Sequence, residues 1–118
     1  MMRWEAERQN PGYEKMVLWV SKRWKFSICL IRINPGTSVK MRVDPAPAGY
    51  EHHRLNITLK RSRVGMVLYE KVAGSNRFFI QEDRVLKFRP DVQRHLVTQV
   101  NGGRWWMLSI GWLRRANG

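Results

Sequence analysis

Acidic residues are scarce in this chain: nine Asp and Glu stand against 22 Lys and Arg, a formal charge of +13 on 118 residues. Cysteine is scarcer still, with Cys29 alone. One thiol cannot close an internal disulfide, which excludes a disulfide-stapled secreted scaffold and points to a reducing compartment. Long hydrophobic runs are missing too. The longest mostly apolar stretch, Phe26 to Ile33, is broken by Ser27 and Arg32 and falls far short of a membrane span. The first residues carry no apolar segment of the secretory kind. The expectation is a cytoplasmic protein without membrane association. No glycine-rich phosphate loop, Ser/His/Asp signature, zinc-ligand spacing or RNP-like aromatic motif occurs, so neither catalytic residues, a metal nor a cofactor is assigned.

What is present is positive charge on a chain able to fold. A field of this sign concentrates polyanions near the surface. Arg outnumbers Lys by 15 to 7, and guanidinium groups suit phosphate forks and base stacking. Six Trp, four Phe and three Tyr accompany a hydrophobic content of 43%. Basic disordered tails rarely carry so many rings, so the charge belongs to a folded body. The length fits a single domain, residues 1–118.

Hydrophobic periodicity predicts a mainly β fold. Residues 2–9 read as a short helix stopped by Asn10-Pro11-Gly12. Period-two patterns then mark strands at 15–22, 24–34, 39–43, 54–60, 65–71, 77–81, 84–88 and 104–113. Residues 90–100 read as a late helix. Pro90 and Asp91 suit a first turn, Val92, Leu96 and Val100 repeat at i, i+4, i+8, and Gly102-Gly103 supply a stop. The expected architecture is a small antiparallel barrel or curled sheet of about seven or eight strands with that one late helix. Trp106, Leu108, Ile110 and Trp112 share one face of the last strand and are expected to face the core. Trp105 then falls on the other face, beside Ser109 and Gly111.

Three basic segments carry the functional reading. Lys22, Arg23 and Lys25 surround Trp24 at a strand junction, and Lys60, Arg61 and Arg63 flank Ser62 between two strands. Arg104 precedes Trp105. Cations that hold phosphates beside rings that stack on bases are the combination single-strand binders use. Trp19 is a further candidate ring. The one expected helix carries too few basic groups for a major-groove reader, so single-stranded DNA or RNA is the favoured partner. An alternative is a protein-binding inhibitor or accessory module, of the kind phages and plasmids encode, acting on a larger nucleic-acid-processing enzyme. Trp, Arg and Met, all abundant here, are enriched at interface cores. A third reading is a ribonuclease-like enzyme using His52 or His53 with Glu51. Adjacent residues of an extended chain diverge, however, and no spaced partner follows these imidazoles.

Overall fold

The structure is a computed structural model and describes residues 3–116. Ten strands run in the order β1 (Glu5–Ala6), β2 (Tyr13–Ser21), β3 (Phe26–Ile33), β4 (Val39–Arg42), β5 (Tyr50–Lys60), β6 (Val67–Glu70), β7 (Phe78–Ile80), β8 (Val85–Phe88), β9 (His95–Val97) and β10 (Trp105–Arg115). They form a six-stranded sheet, β1-β2-β3-β10-β5-β8, and a four-stranded sheet, β4-β9-β6-β7. Every pairing is antiparallel. The two sheets close on a shared apolar core that includes Ile31, Ile33, Val39, Val67, Phe88 and Trp105. The mainly β class thus holds, with ten strands rather than seven or eight. Among the described residues no helix is long and apolar enough to cross a membrane.

Neither expected helix forms. Glu5–Ala6 is an edge strand paired with Lys15 and Glu14 of β2; residue 2 of that expectation lies outside the described residues. At 90–100 only one turn closes, where Val92 N and Gln93 N both donate to the Arg89 carbonyl. The chain then straightens into β9, paired with β4 and β6. Val92 is exposed while Val100 is wholly buried in another segment, so their helical spacing is a coincidence of composition.

A buried carboxylate decides that competition. Glu70 is fully buried and accepts from Arg94 Nε at 3.0 Å, Arg94 Nη2 at 2.9 Å, the Arg94 backbone N at 3.0 Å and the Asn76 backbone N at 2.9 Å. Gln93 Nε2 donates to the Glu70 carbonyl at 2.5 Å. The Arg94 backbone N–H spent on Glu70 is unavailable to a helix, and tertiary pairing outweighs helical propensity here. These donors, the Arg94 guanidinium first, hold Glu70 at about 2 against an ordinary 4.5. A depressed carboxylate stabilises the fold fully above its unfolded value and loses that contribution as pH falls toward its folded one. Glu70→Gln should therefore melt well below the parent at pH 7, with the gap closing between about pH 4.5 and pH 2. Thermal melts across that range check this, and a gap independent of pH would show that shape rather than charge holds the site.

The strands also assign the two faces of the six-stranded sheet. Along β10, Trp105, Met107, Ser109 and Gly111 are buried, while Trp106, Leu108, Ile110 and Trp112 are half-buried. In β3 the buried set is Cys29, Ile31 and Ile33. The expectation that Trp106, Leu108, Ile110 and Trp112 face the core is therefore reversed. These residues line the outer face, and cross-strand register extends their rows through Ile28, Leu30, Leu55 and Ile57.

Candidate nucleic-acid interface and barrel interior

β2 and β3 form a hairpin whose tip, residues 22–25, holds the first basic segment. Lys25 turns the chain with φ of 51°, and the Trp24 backbone N donates to Ser21 Oγ at 3.2 Å. The tip stands clear of the four-stranded sheet, so Val17 and Val20 are exposed as well as Trp19 at 52%. Trp24 is 70% exposed, with the Arg23 guanidinium 5.4 Å from its ring centroid. Lys22, Arg23 and Lys25 are exposed around it.

β10 ends beside this tip. Leu113 N donates to the Lys25 carbonyl at 2.9 Å, and Arg115 pairs with Tyr50, over whose ring Lys25 Nζ sits at 5.2 Å. The exposed Arg114 and Arg115 thus join the hairpin cations, an addition the sequence pattern did not reveal because the two segments lie far apart in the chain. Beneath the hairpin lies an open groove of about 310 Å³, lined in part by Lys22, Lys25, Phe26 and Trp112.

The second cluster sits at the other end of the sheet. Lys60 pairs with Trp106, and the Arg63 backbone N donates to the Gly102 carbonyl at 3.2 Å. Arg61 Nη2 donates to the Glu82 carbonyl at 2.7 Å and Arg104 Nε to Asn34 Oδ1 at 2.7 Å. Lys60, Arg61, Arg63 and Arg104 are exposed there. The hairpin lies roughly 25 Å away along β10, at about 3.3 Å per residue. Trp105 does not serve this end as a surface ring. It is 3% exposed, inside the core, because the odd positions of β10 point inward. Its placement as a base-stacking ring is corrected accordingly.

The histidines separate as adjacent strand residues must. His53 points outward, stacked on Trp112 at 5.7 Å and 3.1 Å from Glu51 Oε1. His52 turns inward, its Nε2 3.3 Å from Arg54 Nη2. Burial, then the Arg54 charge, pushes His52 below its ordinary value. Two imidazoles on opposite faces do not act on one bond. Among the described residues no cluster of three or more His, Cys, Asp or Glu is arranged to hold a metal ion.

The barrel interior is largely apolar but holds a group of polar side chains around one cavity. A cavity of about 100 Å³ is bordered by Tyr13, Arg42, Arg54, Asn56, His95 and Ser109, among others. Arg42 is bonded to Glu7 and lies 3.5 Å from Asp44. Burial raises Tyr13 to about 12, so its phenol stays protonated. Burial likewise lowers His95, favouring neutral imidazole.

The sequence matches no protein-family model and no curated protein. Solved structures do resemble the fold. KdgF from Halomonas sp. superposes with a TM-score of 0.64 at 9% identity, over 96% of this chain and 89% of that one. An HTH_3 family transcriptional regulator from Vibrio cholerae gives 0.62 at 12% identity, over 92% of this chain and 55% of the regulator, so this chain spans about half of that protein. The cupin_2 domain of an XRE family transcriptional regulator from Enterobacter cloacae gives 0.60 at 16% identity, over 88% and 99%. At such identities the likeness shows the fold alone: this chain is a cupin-like barrel, similar to domains that include parts of transcriptional regulators.

Proposed function

We propose that this barrel binds single-stranded nucleic acid at the hairpin end of its six-stranded sheet. The observation that carries the reading is Trp24, 70% exposed at a hairpin tip among Lys22, Arg23 and Lys25. A large ring held in water costs hydrophobic free energy, and a base stacked on its open face recovers it while the cations meet phosphates. Arg114 and Arg115 bring the cations at this end to five. The likeness to domains of two transcriptional regulators supports a nucleic-acid setting without naming the ligand. Intrinsic Trp fluorescence titrated with single-stranded DNA, RNA and duplex tests it. Five neutralised phosphates give a log–log salt slope of about −3.5, at roughly −0.7 each on single strands. Absence of binding to every oligomer at low salt would sink the proposal.

A second reading, a protein-binding module, is favoured by the outer face of the six-stranded sheet. Its central rows, Trp19-Ile28-Ile110-Leu55 and Met16-Leu30-Leu108-Ile57, carry no charge, and none of the ten strands lies over them. Charge-free apolar surface suits a protein partner better than a phosphate backbone. One host protein co-purifying with the parent and lost in Ile110→Lys supports this reading; a chain that stays monomeric and retains no partner argues against it.

A further inference from the structure

Five arginines are partly buried among the described residues: Arg32, Arg42, Arg54, Arg89 and Arg94. Four have a carboxylate. Arg32 meets Glu14 at 2.8 Å, Arg42 meets Glu7, Arg89 meets Asp91 at 2.7 Å, and Arg94 meets Glu70 at 2.9 Å. Arg54 has none among the described residues. It lies on the inward face of β5 and borders the interior cavity.

The surroundings of Arg54 position it without neutralising it. Nη1 donates to Ser109 Oγ at 2.6 Å, and Ser109 Oγ donates to Asn56 Oδ1 at 2.5 Å. Nη2 lies 3.3 Å from His52 Nε2, which accepts in the Nδ1–H tautomer of the neutral ring that burial and the Arg54 charge favour. Two of the five guanidinium N–H groups are spent in this way. The relay uses the Asn56 oxygen and leaves its amide N–H₂ without an acceptor among the described residues. Gly111 lies across from Arg54 in the β5–β10 register, and a Cβ there would stand 2.7 Å from Arg54 Nη2. The strand is stripped of a side chain at the position where the guanidinium needs room.

We infer that the barrel interior is a binding site for a small organic monoanion, a carboxylate held by the Arg54 fork. Charge sets the valence. Arg42 is met by both Glu7 and Asp44, whereas Arg54 has no carboxylate within ion-pair distance among the described residues, so a single negative charge is what its guanidinium lacks. Geometry sets the class, since a planar fork matches a carboxylate through paired N–H donors. Size sets the limit. About 100 Å³ exceeds what a few waters need and admits a short-chain acid rather than a nucleotide. Asn56 and the protonated Tyr13 phenol supply further donors at the border. A partly buried guanidinium without a counter-charge is costly to the empty fold. Such a cost is characteristic of a position kept for a ligand.

The test uses the full chain and propionate, with propionamide and ionic-strength-matched chloride as controls for the general attraction of a +13 surface. Propionate should raise the melting temperature beyond both controls and shift the Arg54 Nε–H resonance. Arg54→Met should lose that response while melting no lower than the parent without ligand. Arg54→Lys, which keeps the charge and loses the fork, should weaken it at least tenfold. Ser109→Ala, which releases the relay, should weaken it less. Binding of single-stranded oligomers should be unchanged in all three, which separates this site from the hairpin interface. If propionate does no more than chloride in the parent, or if Arg54→Met responds like the parent, the proposal is wrong. Should Arg54→Met fail to fold, the Arg54 resonance of the parent still decides: unmoved by propionate, it overturns the site.

Discussion

Trp105→Ala should cost about 3–5 kcal/mol of stability, the range for deleting a large buried ring. Trp106→Ala, one residue on, should cost only about 1–2 kcal/mol. Trp105 is 3% exposed and packs with Ile31, Ile33 and Phe88 in the core between the sheets. Trp106 lies on the outer face, where its main support is an edge-to-face contact with Trp4 at 5.8 Å. A third variant sharpens the comparison. The Trp105 indole N–H is buried with no acceptor among the described residues, so Trp105→Phe removes an unpaired donor along with part of the ring. Since an unsatisfied buried donor costs about 1–3 kcal/mol, Trp105→Phe should lose far less than Trp105→Ala. Thermal and denaturant melts of the three variants decide it, and a larger loss for Trp106→Ala would mean that the outer face is the true core.

That experiment bears on the point where sequence reasoning and structure part. The β class was legible, because alternation at 54–60 and 104–113 survives in any register. Which face turns inward was not. Hydrophobicity directs Trp106, Leu108, Ile110 and Trp112 to the core, yet the inward residues of β10 and β5 include Ser109, Gly111, Arg54, Asn56 and Thr58. Both faces of this sheet carry apolar residues, the inner face mixing them with polar side chains around a cavity, and one strand read alone does not show which face is the core. The late helix failed for a similar reason. Helical spacing at Val92, Leu96 and Val100 is local, whereas Glu70 captures Arg94 from 24 residues away. The hairpin segment could be read from its cations around Trp24, but Arg114 and Arg115 join it only through strand pairing. Arg54 was visible as one residue in an alternating strand. That no carboxylate pairs with it among the described residues is a property of the fold.

Removing the hairpin cations should be the largest single blow to nucleic-acid binding. Lys22→Ala with Arg23→Ala and Lys25→Ala deletes three phosphate partners, which should reduce the log–log salt slope by about 2. Trp24→Ala alone should cost about 1–3 kcal/mol, roughly 5- to 150-fold in affinity, through the lost stack. Neither change should unfold the chain, since all four residues stand in water at a hairpin tip. The second cluster gives the comparison its power. Lys60, Arg61 and Arg63 lie at the far end of the sheet, out of reach of a short oligomer seated on the hairpin. Their triple Ala variant should therefore bind short strands normally and lose affinity only for strands long enough to span both ends. Salt-dependent titrations of the variants with a short and a long oligomer separate the cases. Loss of short-strand binding in the Lys60, Arg61, Arg63 variant alone would move the interface to the opposite end. Parental affinity in both triple variants would mean that neither cluster holds the strand and that the net charge acts only as a diffuse field.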